Sequence, residues 1–203
     1  MKQVLPTILL LLIPVLSVRA DDGWTPVRDV PSLVSRFSEA SSLVRSIECR
    51  FHQKKYVDVL VGTAESDGFY GYYAPDSVVI EYVSPDRYTI TVTGDEIRYA
   101  SAGMLTVRKL SSDRRLSGLA DIMRTGGIPD PDRLDAFDIE AYENSSCYMF
   151  VISGPGLRKG GLEVVADRND MSLVSFRLLE GGNDYTEFSF SDKVILRASS
   201  ADE

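Results

Sequence analysis

Few side chains in this sequence stand in an arrangement typical of covalent or acid–base catalysis. His52 is the only histidine and has no partner at metal-ligand spacing. Cys49 and Cys147 are the two cysteines, and neither stands beside a base. Asp130 and Asp132 belong to a proline-rich segment that is typical of a turn, not of a catalytic carboxylate pair. The sequence therefore argues against an enzyme and predicts neither a metal ion nor a cofactor.

A different kind of chemistry is concentrated between Gly68 and Gly94. This stretch reads as three short β-strands separated by the turns at Pro75 and Pro85. Apolar and aromatic side chains recur there at every second position, while Thr89 and its alternating neighbours are polar. The pattern predicts an antiparallel meander with one apolar, tyrosine-rich face. The strand residues assigned to that face and to its lining are Tyr70, Tyr72, Val78, Ile80, Tyr82, Tyr88 and Ile90.

A first helix is predicted from Pro31 to Ser46. Apolar residues recur at helical spacing from Leu33 to Ile47, and Ser32 is the expected N-cap. Phe37 lies on this apolar stripe and is assigned to the same lining as the tyrosines. We expect the stripe to cover the tyrosine-rich face of the sheet.

A second helix is predicted from Ser112 to Arg124, ending at Gly126 and Gly127. Its apolar face contains leucine, isoleucine and methionine, which suit either an ordinary core or an adaptable surface. The residues assigned to a mobile lid on this face are Leu119, Ile122 and Met123.

Short strands are predicted on both sides of this second helix. Turn signals recur about every ten residues, which favours a continuing antiparallel sheet over a βαβ fold. The predicted strands run over residues 47–61, where Val57, Val59 and Val61 begin a new hairpin arm, and over 95–100, 104–110, 147–152, 162–167, 172–179 and 185–191.

The first twenty residues are predicted to be a secretory signal peptide. Lys2 precedes an apolar run from Val4 to Leu16, and residues 18–20 form a small-x-small cleavage site. A retained membrane anchor is the alternative, but the run is short and contains two prolines. Residues 21–203 are then expected to form a single exported domain in the periplasm.

The charge of the chain limits its partners. Removing the leader takes the formal net charge from −8 to −10, because the leader holds two basic residues and no acidic residue. Phosphate backbones and anionic membrane surfaces would repel so acidic a protein. We therefore expect no nucleic-acid partner.

Export makes a disulfide between Cys49 and Cys147 chemically feasible, with two buried free thiols as the alternative.

The order of these signals resembles that of a known family. The features are the aromatic strand after Gly68, the proline turn, the segment Ser84-Pro85-Asp86, and the β-run that begins at Gly94-Asp95-Glu96. The segment 51–54, reading FHQK, and the tail LEVVADRNDMSLVSFRLLEGGNDYTEFSFSD add to the likeness. Together they resemble the outer-membrane lipoprotein carriers, the LolA-like periplasmic chaperones. The resemblance implies an α+β fold, an unclosed, curved antiparallel β half-barrel with helices covering its concave face.

The same resemblance implies a function and a set of partners. LolA-like carriers bind the acyl chains of lipoproteins in a hydrophobic cavity and shuttle them from the inner to the outer membrane. The implied partners are acylated lipoproteins and an inner-membrane lipoprotein-releasing transporter, while participation of an outer-membrane receptor stays open. A monomer is expected. Two positions depart from the family pattern: Ala74 replaces an arginine that bonds the lid helix, and Ile80 replaces an aromatic residue.

An alternative function on the same fold is also open. A periplasmic lipid-binding or envelope-sensing regulatory module would keep the curved sheet and report on lipid or protein state through a partner protein. Such regulators usually carry a second domain, and we expect only one here.

Overall fold

The structure, a computed structural model, describes residues 23–59, 62–112, 136–154, 157 and 160–198. Helix α1 spans Val30–Ser42, and a 3₁₀ turn spans Leu110–Ser112. The strands are, in chain order, β1 Thr25–Pro26, β2 Val44–Tyr56, β3 Thr63–Tyr73, β4 Ser77–Ser84, β5 Tyr88–Thr93, β6 Glu96–Ser101, β7 Met104–Lys109, β8 Asp138–Glu143, β9 Cys147–Ser153, β10 Gly161–Asp167, β11 Leu173–Gly181 and β12 Asp184–Arg197.

All of these strands belong to one antiparallel sheet. Its spatial order is β1-β8-β9-β10-β11-β12-β2-β3-β4-β5-β6-β7, so β1 and β7 are the two edges and the sheet is curved but not closed. Most neighbours are consecutive hairpin strands. The exception that joins the two halves is the pairing of β12 with β2, where Phe190 lies opposite Phe51. The expected open antiparallel half-barrel is confirmed.

The buried side chains form two clusters, one on each half of the sheet. The first cluster combines α1 with strands β8 to β11 and centres on Phe150, Ile152, Leu162 and Val164, all fully buried. The second cluster lies on β2 to β5 and centres on Val78. The aromatic rings of Phe188 and Phe190 in β12 pack against both clusters. The sheet therefore carries a continuous apolar surface across its middle strands.

Helix α1 begins one residue before the predicted Pro31, and its N-cap lies three residues before the predicted Ser32. Asp29, not Ser32, is the N-cap, and its carboxylate accepts hydrogen bonds from the backbone N–H of Ser32 at 3.1 Å and from its hydroxyl at 2.8 Å. These two bonds stabilise the ionised form and lower the pKa of Asp29. The helix also ends earlier, at Ser42, because Val44 already belongs to β2. The predictions of a Ser32 cap and of a helix reaching Ser46 were wrong.

The position of α1 differs from the prediction as well. Its buried residues Leu33, Val34 and Phe37 pack on strands β8 to β11, not on the tyrosine-rich strands β3 to β5. The reason is chain connectivity: β1 pairs with β8 at one edge, whereas β2 lies in the middle of the sheet. The five strand spacings from β8 to β2 span about 24 Å, and a 13-residue helix spans about 20 Å. The helix therefore bridges this half of the sheet on its way to β2.

Several strand boundaries also differ from the prediction. Val57 and Val59 belong to the turn after β2, where Val59 is 88% exposed, and not to a hairpin arm. Leu110 leaves β7 and is buried in the second cluster. Strand β12 continues past Ser191 to Arg197 through a register shift, because the polar segment there forms a bulge instead of a turn.

Some predictions fall outside the described residues. These are the signal peptide, Val61 and the second helix, except for Ser112, which lies in the 3₁₀ turn. Within the described ranges, α1 is the single α-helix, and no helix there has the length and hydropathy needed to cross a bilayer.

Candidate functional site

Seven of the eight residues predicted to line a lipid site come together on one face of strands β3 to β5. Their alternation is reproduced by the strand register, which places Tyr70 opposite Ile80 and Ile80 opposite Ile90. The same face continues into β2 through Cys49 and into β6 through Ile97. The seven residues are Tyr70, Tyr72, Val78, Ile80, Tyr82, Tyr88 and Ile90.

The eighth residue, Phe37, lies mainly in the other cluster. Its ring packs edge-on against Phe150, with 5.5 Å between the centroids. It also reaches a small cavity that Tyr70 of β3 lines from the other side. Phe37 is thus located between the two clusters instead of above the tyrosines.

A belt of aromatic rings connects the two halves of the sheet. Tyr82 stacks on Tyr88 with centroids 4.2 Å apart, and Phe51 meets Tyr82 edge-on at 5.0 Å. Phe51 in turn contacts Phe188, whose ring stacks on Phe176 of β11 at 4.7 Å. Such ring pairs contribute about 0.5–1.5 kcal/mol each beyond the area that they bury. The belt gives the site a rigid, apolar floor.

The phenols of Tyr70 and Tyr82 stay uncharged in neutral solution. Burial raises the pKa of both Tyr70 and Tyr82 well above the usual range of a phenol. The hydroxyl of Tyr82 donates a hydrogen bond to the side-chain oxygen of Gln53 at 2.6 Å. The polar end of Tyr82 is therefore satisfied without placing a charge on the surface, which suits an apolar ligand.

The described cavity next to this face is small. It has a volume of about 40 Å³, which is room for roughly three water molecules. Its walls come from the end of α1, from β2 and β3, and from β12 with the segment before β11. The lining residues are Phe37, Ala40, Ser41, Val44, Ile47, Cys49, Tyr70, Met171, Ser172, Leu173, Phe190, Lys193, Ile195 and Arg197.

Several residues of this surface were missed by the sequence reasoning. Phe51, Phe188 and Phe190 belong to the aromatic belt, and Lys193 lines the cavity. Phe188 and Phe190 alternate along β12 just as the tyrosines do along β3, so period-two spacing was a usable signal. Nothing local indicated Lys193, because its position follows from the bulge in β12.

Ala74 occupies the turn where the family pattern has an arginine. Its backbone N–H donates a hydrogen bond to the carbonyl oxygen of Arg45 at 2.8 Å. The methyl side chain offers no polar group. The lid residues assigned from sequence, Leu119, Ile122 and Met123, lie outside the described residues, so their role stays a prediction.

The two cysteines are free thiols in different parts of the sheet. Cys49 is buried in β2, and Cys147 is half-buried at the start of β9. Burial raises the pKa of Cys49 to about 12, although the positive charge of Lys193 opposes the shift. Burial and the nearby carboxylate of Asp167 raise the pKa of Cys147 as well. The structure therefore has two unpaired thiols, which was the alternative to a disulfide.

We expect iodoacetamide to distinguish the two thiols. A pKa of about 12 leaves Cys49 with about a thousandfold less thiolate at pH 8 than an ordinary thiol. Native protein should therefore gain one label at Cys147 and a second only after unfolding in urea, as counted by intact mass. The variant Cys147→Ser should gain none while folded. Equal labelling rates at both thiols in native protein would contradict the burial of Cys49.

His52 is a strand residue with an acidic neighbour. Its Nδ1 lies 2.8 Å from a carboxylate oxygen of Asp67 on β3, and its Nε2 lies 3.9 Å from Glu65. Within the part of the chain that the structure describes, no group of three or more histidine, cysteine or carboxylate side chains is arranged to hold a metal ion.

Comparison with known proteins gives likeness in structure only. No protein-family model matches the sequence, and no curated protein matches it. A conserved protein from Thermus thermophilus aligns over 84% of this chain and 90% of its own, with 10% identity and a TM-score of 0.52. MucB aligns over 87% of this chain and 62% of its own, with 16% identity and a TM-score of 0.50. A LolA superfamily protein from Nitrosomonas europaea aligns over 82% of this chain and 95% of its own, with 8% identity and a TM-score of 0.43.

The fold is the unclosed, curved antiparallel half-barrel that the resemblance implied. The resemblance stated from the sequence is thereby confirmed at the level of architecture, with an open antiparallel sheet and one helix among the described residues on its concave face. Identities of 10% and 16%, to the Thermus thermophilus protein and to MucB, show a shared fold alone. They assign no cargo and no partner.

Proposed function

We propose that the protein is a periplasmic carrier that binds the acyl chains of lipoproteins on its concave face and shuttles them from the inner to the outer membrane. The observation that carries this proposal is the uninterrupted apolar and aromatic surface across strands β2 to β5 of a LolA-like fold. Its partners would be acylated lipoproteins and the inner-membrane transporter that releases them. A chain of about sixteen carbons withdrawn from a bilayer forfeits roughly 13 kcal/mol of transfer free energy. A shallow patch would recover little of this, whereas a covered concave face would recover most of it.

The small size of the described cavity fits reversible binding. Because the described cavity beside the belt has a volume of about 40 Å³, an acyl chain that enters it must displace existing side-chain packing before it gains contacts of its own. That displacement lowers the net affinity and so permits release. The predicted second helix, with Leu119, Ile122 and Met123 as its lid residues, would supply part of the displaced packing. With Ala74 in place of arginine, closure of such a lid would depend on apolar contacts.

Native mass spectrometry tests the carrier proposal directly. The protein would be expressed from residues 1–203, purified from the periplasm, and measured before and after gentle detergent. Bound acylated peptide or lipoprotein that detergent releases would support a carrier. An unliganded mass, together with no uptake of an added diacylated lipopeptide, would contradict it.

A second candidate function is an envelope-sensing module that acts through a protein partner. It is supported by an open groove of about 360 Å³ on the convex face, where Phe69, Tyr73 and Val194 expose 44%, 40% and 68% of their surface. Solvent-exposed apolar groups in a groove are typical of protein contacts. The fold likeness to MucB, of which this chain spans 62%, is compatible with such a module. A lipid-free protein that co-purifies with one stoichiometric envelope protein would favour this candidate.

A further inference from the structure

The cavity between α1 and the end of β12 contains a cation in an otherwise apolar setting. Strand β12 shifts its register between Ser191 and Val194, and Asp192 adopts a left-handed conformation with φ of 52°. This bulge places Lys193 among the cavity walls. Ile195, two residues further along β12, also lines the cavity and pairs with Ile47 of β2. The lysine therefore faces the concave side of the sheet and not the solvent beyond the convex side.

The ammonium group of Lys193 is bound but not neutralised. It donates hydrogen bonds to the hydroxyl of Ser172 at 2.8 Å and to the carbonyl oxygen of Leu173 at 3.1 Å. Among the described residues, no carboxylate lies within 4.0 Å of it, and its third N–H has no acceptor. The half-buried guanidinium of Arg177 differs, since it is held between Glu163 and Glu187. The carboxylate of Asp170 lies near enough for the charge of Lys193 to help lower its pKa, but the two do not form an ion pair. A half-buried cation without an ion-pair partner favours an anionic ligand.

Arg197 adds a second cation to the same cavity. Its guanidinium donates to the carbonyl oxygen of Asp170 at 3.0 Å and lies 3.9 Å from that residue's carboxylate. Part of its charge is thus balanced by Asp170, whose carboxylate forms no ion pair with Lys193 and so leaves the ammonium group open to an anion.

The opposite walls of the cavity are apolar and lead to the aromatic belt. Ala40 and Ser41 are short, so the end of α1 leaves a gap over the sheet. Phe190 and Tyr70, whose ring centroids lie 5.6 Å apart, form the floor and continue into the second cluster. A group the size of a carboxylate fits the gap beside Lys193, and an alkyl chain attached to it would extend along the belt.

We propose that this cavity binds the carboxylate head of a long-chain fatty acid, with Lys193 as the charge partner and the alkyl chain on the aromatic belt. The inference rests on the proposed function only in that both place an alkyl chain on the concave face. It adds a ligand class, a single-chain amphiphile with an anionic head. An acylated lipoprotein has no carboxylate at the end of its acyl chain, so the two ligands are chemically distinct.

The test compares dodecanoate with 1-dodecanol, two probes that differ in the charge of the head. We expect the wild-type protein to bind dodecanoate at least about tenfold more tightly, because a charged hydrogen bond in a half-buried site is strong. Lys193→Met should reduce dodecanoate affinity to that of dodecanol and leave dodecanol binding within about twofold. Lys193→Arg should retain the preference. Lys109→Met, the same change on the exposed edge strand β7, should have no effect.

The possible outcomes of this test distinguish the fatty-acid inference from the carrier proposal. Equal wild-type affinity for the two probes would overturn the inference, and this comparison decides even if Lys193→Met fails to fold. Competition by acetate as strong as that by dodecanoate would also overturn it, since the site would then select a small anion. If the protein takes up a diacylated lipopeptide but does not prefer dodecanoate to dodecanol, the carrier proposal is supported and the fatty-acid inference is overturned. Binding of dodecanoate that depends on Lys193, without lipopeptide uptake, supports the inference and contradicts the carrier.

Discussion

Replacing Ile90 by aspartate should reduce uptake of a diacylated lipopeptide at least about tenfold while the protein stays folded. Ile90 lies on the concave face of β5, between Ile80 of β4 and Tyr99 of β6. It is only half-buried, so the new carboxylate can keep some hydration in the empty protein. A bound acyl chain would remove that hydration, and the cost of burying an unpaired charge would then oppose binding. Uptake can be measured by native mass spectrometry, with circular dichroism to confirm folding.

The neighbouring residue provides a matched control for this prediction. Thr91 is also half-buried in β5 but points to the opposite face, where it lies between Val79 and Arg98. Thr91→Asp introduces the same charge into the same strand and should leave uptake within about twofold of wild type. Equal losses in Ile90→Asp and Thr91→Asp would refute the assignment of the concave face as the lipid site.

Phe150→Ala should lower the free energy of unfolding by about 3–5 kcal/mol. Phe150 is fully buried in β9, its ring meets Phe37 of α1 edge-on, and it faces Val164 across the strand pair. Removing the ring leaves a cavity between the helix and the sheet that the rigid strands can fill only in part. Because domains of this size are typically stable by about 5–15 kcal/mol, the variant should lose a large part of its stability. Urea denaturation, monitored by circular dichroism, measures the change.

Phe69→Ala is the matched control for the first cluster. This substitution removes the same ring from β3, but the side chain of Phe69 is 44% exposed on the convex face, where the guanidinium of Arg50 lies over it at 5.3 Å. Its loss should cost about 1 kcal/mol or less. If both variants lost the same stability, α1 and strands β8 to β11 would not form the structural core that their burial indicates.

These two predictions assign stability mainly to the first cluster and ligand binding mainly to the second. The first cluster joins α1 to the sheet through fully buried residues, and its main effect should be on stability. The second cluster includes half-buried members such as Tyr72, Tyr88 and Ile90, which have surface left for a ligand. Phe190 contacts both, so substitutions there should affect stability and binding together.

The residues of the tyrosine-rich face could be predicted from the sequence because strand periodicity is a local property. Side chains two residues apart on a strand share a face whatever the strand pairs with, and the proline turns set the limits of each hairpin. Tyr70, Ile80 and Ile90 therefore face the same side, as their spacing indicated.

Only the tertiary structure decided how the halves meet. The pairing of β12 with β2 joins residues as distant as Phe190 and Phe51, and no local pattern encodes which strands become neighbours across such a separation. That pairing, with the two-residue strand β1 at the far edge, sends α1 over β8 to β11 instead of over the tyrosines. Because β12 pairs with β2, the bulge at Asp192 also places Lys193 among the walls of the cavity. The periodicity of single strands thus determined which side chains form the apolar face. Long-range strand pairing determined where α1 packs on the sheet and that Lys193 lies in the cavity beside this face.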